Sequence, residues 1–384
     1  MSEKSGALLQ LADDVLLRLT RAGATEAKVV ARAGQELSVR VRLGAIELVE
    51  EAGTRGLSIR VAKGKKIATA GTSDMTEEGI ARIVSDVMEI CDLSQEDPFS
   101  GLPDPSELAT EIAELKLYDP ACSQVNAAQA VERARRCEDA ARAYDKRITN
   151  SEGASFGRSN SEFALVTTGG FRQGYKGSYA SVSVSAVAAD EGGKNRTAGY
   201  WSGSRILSRL EDDADVGREA ARRTVRLLGA RKVPTANVPV VFEKDAARSL
   251  IGTFAGCIVG DSIYRRSSYL IERLGKVVAS PLVSIVDDPL IPSAPGSRPF
   301  DGDGLQSRRN VVVDNGVLKT FLLDTYSARK LGMKSTGSAS GSTGTGAGTS
   351  NFVLQPGDRT LADIVKSTKK GLYVTGMMGF GFNA

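Results

Sequence analysis

The stretch VFEKDAARSLIGTFAGCIVGDSIYRR, residues 241–266, decides what this chain can build and which chemistry it lacks. It predicts the end of a strand at Phe242, an apolar helix over 245–259 and a basic turn over 260–266. An acid-rich strand and loop follow over 283–304. The helix carries no histidine, and neither does the rest of the chain. Because imidazole is the commonest metal ligand in proteins, this absence restricts the chemistry open to the protein.

Length and composition predict an α+β protein of several regions. At 384 residues the chain has room for two or three domains of roughly 100–200 residues each. A hydrophobic content of 41% with 25% charged residues is typical of a globular protein with a full core. The chain has 41 glycines but only 5% aromatic residues, which favours short strands joined by tight turns over a helical bundle.

The charge distribution excludes one large class of partner. The formal charge of +4 is small and is spread along the chain, without a run of basic residues interleaved with aromatic ones. Proteins that bind nucleic acids usually show such a basic footprint. We therefore expect no nucleic-acid partner.

Cysteine spacing and the start of the chain indicate where the protein works. The four cysteines are far apart and form no Cys-x-x-Cys pair. The first residues, Met-Ser-Glu-Lys, lack the apolar core of a secretion signal. Together these features predict a reducing, cytoplasmic location. No apolar run reaches the length of about 18 residues that a membrane span needs, so no membrane partner is expected.

Periodicity divides the chain into three regions. An N-terminal α+β domain is predicted over 1–105, with a helix over 5–22, an antiparallel meander and a second helix that begins at Thr76. The segment 92–105 is rich in Pro, Asp and Ser and marks the boundary. A central α+β domain over 106–233 is predicted from its alternating and helical segments: helix 126–144, strands 147–157, 162–168 and 179–187, and helix 206–228.

The third region, 234–384, is predicted to be a strand-rich, barrel-like domain. Asn315-Gly316 between two apolar runs is typical of a two-residue hairpin turn. The Gly/Ser/Thr segment 338–350 is expected to be a mobile loop, and 361–369 a short helix. The chain ends at Ala384 within a strand-like sequence, so we expect the domain to be truncated.

Several catalytic arrangements can be weighed against plain structural roles. A Ser-His-Asp triad is impossible without histidine. Ser-x-x-Lys occurs at Ser327 and at Ser367, a spacing that is common on exposed helices by chance. Lys334-Ser335-Thr336 resembles the end of a phosphate-binding loop but lacks the glycine before the lysine. We expect these segments to be structural.

An acidic group could hold a hard cation. It consists of Asp287, Asp288, Asp301 and Asp303, whose oxygens suit Ca²⁺ or Mg²⁺. Aspartates at strand ends and turns are also common without any metal, and this simpler interpretation is favoured. A hydrolase that uses these carboxylates with a hard cation nevertheless stays an open alternative.

Long motifs of the third region resemble the TldD/TldE (PmbA) family of two-component zinc metallopeptidases. They occur in the family's order and spacing: GDSIYRR (260–266), VDDPLIPSAPGSRPFDGDG (286–304), NGVLKTFLLDTYSARKLGMKSTG (315–337) and TSNFVLQPG (349–357). In the catalytic TldD type, the resemblance implies a helix with His-Glu-x-x-x-His, whose histidines bind zinc. The matching positions here are Ile251, Gly252 and Gly256, which identifies the chain as similar to the non-catalytic TldE (PmbA) type.

What the resemblance implies is a subunit that is inactive alone and binds no metal. It would pair with a TldD-like catalytic subunit that carries the zinc, and the complex would process peptides or unfolded protein segments. Asp261, Arg265, Arg266, Asp288 and Asp301 are the expected contacts of a cleft or of shared structure. The alternative is a stand-alone peptide-binding scaffold, assembled as a homo-oligomer, without protease activity.

Overall fold

The structure, a computed structural model, describes residues 3–341 and 346–377. The helices in these ranges are α1 (Glu3–Arg21), α2 (Glu77–Leu93), α3 (Pro120–Gln124), α4 (Ala127–Ala143), α5 (Asp213–Val225), α6 (Lys244–Cys257), α7 (Gly260–Tyr264), α8 (Thr325–Leu331) and α9 (Leu361–Thr368). The strands are β1 (Glu26–Arg42), β2 (Ala45–Lys63), β3 (Lys66–Thr72), β4 (Ile148–Thr167), β5 (Arg172–Ala189), β6 (Asn195–Ser204), β7 (Val240–Phe242), β8 (Ile285–Asp287), β9 (Asn310–Asp314), β10 (Val317–Leu318), β11 (Phe352–Leu354) and β12 (Leu372–Val374). The predicted α+β class is confirmed.

A six-stranded antiparallel sheet in the order β3-β2-β1-β4-β5-β6 is the main scaffold. Its strands are longer than the sequence pattern predicts: the segment expected to form two strands, 147–157 and 162–168, is the single strand β4. Two register shifts near its start keep the strand continuous while its pairing with β5 changes. The outer strand β6 was not predicted, because its side chains are mostly polar or small.

Four helices cover one face of this sheet. Along β1, the odd-numbered residues Val29 and Ala31 pack against α1 and α2, whereas Leu37, Val39 and Val41 pack against α4 and α5. Successive strand residues point to opposite faces, so the two cores lie on the same side of one sheet. The β1–β4 pairing joins the first two predicted regions in one sheet. The domain boundary near residue 105 stays a prediction.

The other face of the sheet meets the C-terminal region. Val30 on β1 and Leu165 on β4 pack with Phe171 and with Phe300 of the acid-rich loop. The C-terminal region contains a short-stranded sheet in the order β10-β9-β8-β11 and the parallel pair β12–β7. The predicted hairpin is confirmed: β9 and β10 are joined by Asn315 and Gly316, both with positive φ.

Two local predictions need correction. The helix expected over 206–228 begins only at Asp213, because Asp212 in a non-helical conformation accepts a hydrogen bond from the Ala214 amide and caps it. The segment 338–350 was expected to be mobile, yet Ser338 and Ala339 are buried and hydrogen-bonded. Residues 342–345 of that segment lie outside the described ranges.

Candidate functional site

Helix α6 is the element on which the resemblance places a zinc motif. Glu243 caps its start by accepting a hydrogen bond from the Asp245 amide. One side of the helix packs into the C-terminal core through Phe254 and Cys257, and Ile251 packs partly against the same core. This packing fixes the helix while leaving its other side open.

The open side of α6 carries Gly252 and Gly256. A Cβ added at either position would meet no heavy atom of the described residues within 4 Å, and both residues are exposed. The face that would hold a ligand and a general base therefore has space in front of it but no functional group on it. The space is present and the chemistry is absent.

The donor set does not fit zinc. Zinc binds nitrogen, sulfur or carboxylate oxygen, and neither Ile251 nor a glycine side chain offers any of these. The nearest thiol, Cys257, is buried, and burial raises its pKa, which disfavours the thiolate that binds metal. Within residues 3–341 and 346–377, no group of three His, Cys, Asp or Glu side chains is placed to hold a metal ion.

The basic turn after α6 carries three of the expected contact residues. Asp261 lies in α7, and its carboxylate faces Gly346, whose added Cβ would lie 3.7 Å from Oδ2. Arg265 is exposed and stacks on Tyr264, with its guanidinium carbon 5.6 Å from the ring centroid. Arg266 has a φ of 58°, a left-handed backbone that ends the turn.

The acid-rich loop carries the other two. Asp288 lies at the end of β8, where its Oδ1 accepts a hydrogen bond from the Leu290 amide at 2.9 Å. Asp301 is fully buried and accepts three backbone N–H groups, from Asp303, Leu305 and Ala339, at 2.9–3.0 Å. These bonds fold the loop rather than present a carboxylate to a ligand.

The five expected residues do not form one cluster. In the part of the chain that the structure describes, no side-chain hydrogen bond or ion pair joins any two of them. Their roles as cleft contacts stay predictions. Three lie around the α6–α7 turn, and two lie in the acid-rich loop.

A buried ion pair at the junction of the regions was missed by sequence reasoning. Lys28 on β1 is 1% exposed and donates to Asp303 Oδ1 at 3.0 Å and to the Gly302 carbonyl at 2.9 Å. Burial opposes ionisation of Asp303, but the Lys28 ammonium, a hydrogen bond from Thr325 and the charge of Arg60 together outweigh it, so the pKa of Asp303 is lowered. Burial, reinforced by the Asp303 carboxylate, raises the pKa of Asp301. The sequence feature that indicates this buried charge is a lysine within the apolar run Ala27–Ala31.

The same geometry argues against the hard-cation alternative. Asp303 is neutralised by Lys28, and Asp287 accepts the Ser350 amide at 2.7 Å while burial raises the pKa of its carboxyl. Asp301 accepts three backbone N–H groups. Most oxygens of this group thus already accept protein N–H groups, and the described residues hold no cation cluster.

Side chains of helix α8 bind residues 97–102, which belong to the predicted linker between the first two regions. The Arg329 guanidinium donates to the carbonyls of four consecutive residues, Phe99, Ser100, Gly101 and Leu102. Tyr326, three positions earlier, donates to Asp97 Oδ2 at 2.6 Å. We call these contacts of Tyr326 and Arg329 the linker clamp. They give two residues of the motif over 315–337 a structural role.

The two Ser-x-x-Lys pairs have structural roles. Ser327 is buried in a capping box, with its amide and hydroxyl both donating to the Asp324 carboxylate. Ser367 on α9 accepts a hydrogen bond from Arg359 and donates to the Ile364 carbonyl. Neither serine is activated by its lysine, as expected from the sequence.

Comparisons with known proteins assign the family. Three models match in order: PmbA/TldA metallopeptidase domain 1 over 27–91, the central domain over 120–228 and the C-terminal domain over 235–384. The metalloprotease PmbA of Escherichia coli O157:H7 is 34% identical over 98% of this chain and 82% of that protein. The chain belongs to the PmbA/TldD metallopeptidase family.

Other members of the PmbA/TldD family extend the comparison. A metalloprotease PmbA homolog from Haemophilus influenzae is 35% identical over 95% of this chain and 78% of its own length. A metalloprotease TldD homolog from the same organism is 26% identical over 83% of this chain and 68% of its own length. Similarity is therefore greater to the PmbA relative than to the TldD relative.

Two solved structures share the fold. A proposed modulator of DNA gyrase from Bacteroides thetaiotaomicron superposes with a TM-score of 0.90 at 25% identity, covering 97% of this chain and 83% of that one. TldE from Thermococcus kodakarensis superposes with a TM-score of 0.82 at 22% identity, covering 96% and 83%. The match to TldE shows a common fold.

Proposed function

We propose that this chain is the non-catalytic, TldE-like subunit of a zinc metallopeptidase whose second subunit is TldD-like. The observation that carries the proposal is the side chain set on α6: Ile251, Gly252 and Gly256 stand where a catalytic member needs two ligands and a general base. Such a helix cannot activate water on zinc. Hydrolysis is therefore assigned to the partner.

The comparisons support a pairing of two kinds of chain at the level of the family. The curated relatives include both PmbA-type and TldD-type metalloproteases, so one family holds two kinds of chain. The present chain is more similar to the PmbA type, and its fold matches that of a TldE. A family metalloprotease that lacks its own metal ligands needs another chain to supply them.

In this proposal the chain shapes the peptide-binding cleft and holds the catalytic partner. Its described helices include none long and apolar enough to cross a membrane. The open side of α6 at Gly252 and Gly256 leaves room for a partner subunit or for a peptide or unfolded segment beside the helix. We place the complex in the cytoplasm, in keeping with four buried cysteines that form no disulfide.

Reconstitution tests the proposal. The purified chain, a TldD-like chain from the same source and their mixture are each assayed for cleavage of an unstructured peptide and for zinc content. We expect cleavage only in the mixture, with zinc at one per TldD-like chain. A matched control replaces the motif glutamate of the TldD-like chain by glutamine, which should abolish cleavage while the complex still forms.

Other outcomes separate the alternatives. Stoichiometric zinc in this chain alone, together with peptide cleavage, would disprove the proposal. A tagged chain that captures only copies of itself would support the scaffold alternative instead. Activity of this chain that is lost in Asp288→Asn would support the hard-cation hydrolase.

A further inference from the structure

Three arginines meet on the face of the main sheet that is turned toward the C-terminal region. The first, Arg32 on β1, places its guanidinium carbon 5.2 Å from the ring centroid of Phe163, its partner on β4. Phe163 in turn pairs with Tyr175 on β5, and their ring centroids are 5.1 Å apart. These three residues therefore form one row across three strands, on the same face as Val30.

The other two arginines reach this row from segments outside the three strands. Arg205, just after β6, donates through Nε and Nη2 to two carbonyls of the acid-rich loop, at 3.0 and 2.7 Å. Arg298 lies two positions before Phe300, whose ring packs edge-on against Tyr175 with 5.5 Å between centroids. Burial raises the pKa of Tyr175, and the positive charges of the three arginines oppose that rise. Because Coulomb interactions weaken with distance, all three guanidinium groups lie near this ring. We call Arg32, Arg205 and Arg298 the arginine cluster.

Among the described residues, no carboxylate neutralises the arginine cluster. No Asp or Glu oxygen of these residues lies within 4 Å of its guanidinium nitrogens. Nε and Nη2 of Arg298 are buried and have no hydrogen-bond partner in the same part of the chain. Asp287 is near enough to feel the charge of Arg298, but burial raises the pKa of its carboxyl, and its Oδ1 already accepts the Ser350 amide. Since a buried charge without a partner is costly, the cluster favours an anion.

The chemistry of the cluster suits a carboxylate better than a phosphate. Phosphate sites usually include backbone N–H groups of a helix start or of a glycine-rich loop. At this row, β1, β4 and β5 use their backbone groups in sheet pairing. Recognition is left to guanidinium groups, whose planar N–H forks match a carboxylate. The adjoining rings of Phe163, Tyr175 and Phe300 suit an apolar group attached to that carboxylate.

The cluster is open to a ligand at one end. Arg32 is exposed, and the next row on the same face begins with the small residues Gly34 and Ser161. Nη1 of Arg205 forms no hydrogen bond to a described residue. Arg32 and Arg205 can therefore donate to a carboxylate that approaches from solvent, while Arg298 adds a third positive charge nearby.

We propose that the arginine cluster is a binding site for an organic carboxylate. The bound carboxylate accepts hydrogen bonds from Arg32 and Arg205 and compensates the buried charge of Arg298. The shared chemistry is a carboxylate on an apolar body, which a free acid and the C-terminus of a peptide both offer. The site lies on the sheet face rather than on α6, so the inference stands independently of the proposed function.

Calorimetric titration of the full chain, without a partner subunit, tests this site. The probes are sodium benzoate, a short acetylated peptide of alanine and phenylalanine with a free C-terminus, the amide of the same peptide, and sodium phosphate. We expect saturable binding of a carboxylate probe and none of the amide. Binding of the peptide acid alone would identify a peptide terminus as the ligand, and binding of benzoate alone a free acid. Equal binding of acid and amide, binding of phosphate alone, or no binding of either carboxylate would overturn the proposal.

Variants place the binding at the cluster. Arg32→Gln should weaken it about tenfold, because a charged donor is lost. The matched control Arg55→Gln removes an exposed arginine from the opposite face of the sheet and should leave binding unchanged. Equal affinity of Arg32→Gln and the wild type would contradict the site. Thermal melts check that both variants are folded.

Arg298 gives a readout that needs no ligand. Arg298→Met should raise the melting temperature of the ligand-free chain and weaken carboxylate binding, because an apolar side chain replaces a buried guanidinium that lacks a partner among the described residues. A melting temperature that falls in this variant would overturn the proposal, since it would show that the chain itself satisfies the cluster.

Discussion

The ammonium of Lys28 lies 3.0 Å from Oδ1 of Asp303, across 275 positions of the sequence. The two side chains are 1% and 5% exposed, so no bulk water can replace a lost partner. Since Lys28 belongs to the central sheet and Asp303 to the acid-rich loop, this ion pair joins the first region to the last. A buried pair of this kind is costly to break from one side.

Removing Lys28 alone should therefore destabilise the protein strongly. We expect Lys28→Met to lower the free energy of unfolding by roughly 3–5 kcal/mol, because Asp303 is left charged and buried. The control is Lys63→Met, which breaks an exposed pair with Asp92 and should cost about 1 kcal/mol or less. Urea titration followed by circular dichroism measures both. Equal losses in the two variants would contradict the buried role of the pair.

The double variant Lys28→Met, Asp303→Leu gives a sharper test. Replacing both charges by apolar groups removes the buried carboxylate that has lost its lysine partner, so the double variant should be more stable than Lys28→Met. If it is less stable than either single variant, then the charges do not act as a pair.

Acid sensitivity should arise in part at Asp190, between β5 and β6. Hydrogen bonds from the Gly229 amide and from Arg196 lower the pKa of Asp190 to about 2. A carboxylate with a lowered pKa stabilises the folded state above its unfolded pKa of about 4, and this contribution is lost as pH falls from there toward 2. Asp190→Asn should therefore show a smaller loss of stability over that range. Parallel curves for wild type and variant would disprove it.

The glycines of α6 and α7 should respond oppositely to alanine. No described residue lies within 4 Å of a Cβ added at Gly252, so Gly252→Ala should raise the free energy of unfolding by roughly 0.5–1 kcal/mol through helix propensity. At Gly260, an added Cβ would lie 2.1 Å from the Ser327 hydroxyl, so Gly260→Ala should destabilise by roughly 1–3 kcal/mol. Thermal melts of the two variants decide the matter. Destabilisation by both would mean that the α6 face is packed.

The linker clamp should depend on the guanidinium of Arg329. Lysine cannot reach four consecutive carbonyls, so Arg329→Lys and Arg329→Ala should both free the linker that begins at Asp97. We expect limited proteolysis to cut near residues 97–105 several-fold faster in either variant. The control Arg309→Ala removes an exposed arginine whose Nε lies 3.9 Å from Oδ2 of Asp288, a long contact. Unchanged cleavage in the Arg329 variants would show that other contacts hold the linker.

Local patterns predicted local structure well. Thr76 as a helix cap and Asn315-Gly316 as a hairpin turn follow from the chemistry of a few neighbouring residues, and both are confirmed. The pattern failed where structure depends on distant pairing. The polar strand β6 was missed because its pairing with β5, rather than apolar alternation, makes it a strand.

The 338–350 segment shows the same limit. Its Gly/Ser/Thr composition is typical of a mobile loop, yet Ala339 is held by the buried Asp301 carboxylate. No residue pattern within the segment predicts that contact. The carboxylate that holds it lies 38 positions earlier in the chain.

The sequence by itself determined what α6 lacks, because a ligand is a property of a side chain: no packing can turn Ile251, Gly252 or Gly256 into a zinc donor. Only the tertiary structure decided that Lys28 pairs with Asp303 and that, among the described residues, nothing packs on this glycine face and no strand pairs with the outer side of the first half of β2. Those facts depend on strand pairing and burial between residues far apart in the chain, which local periodicity does not encode.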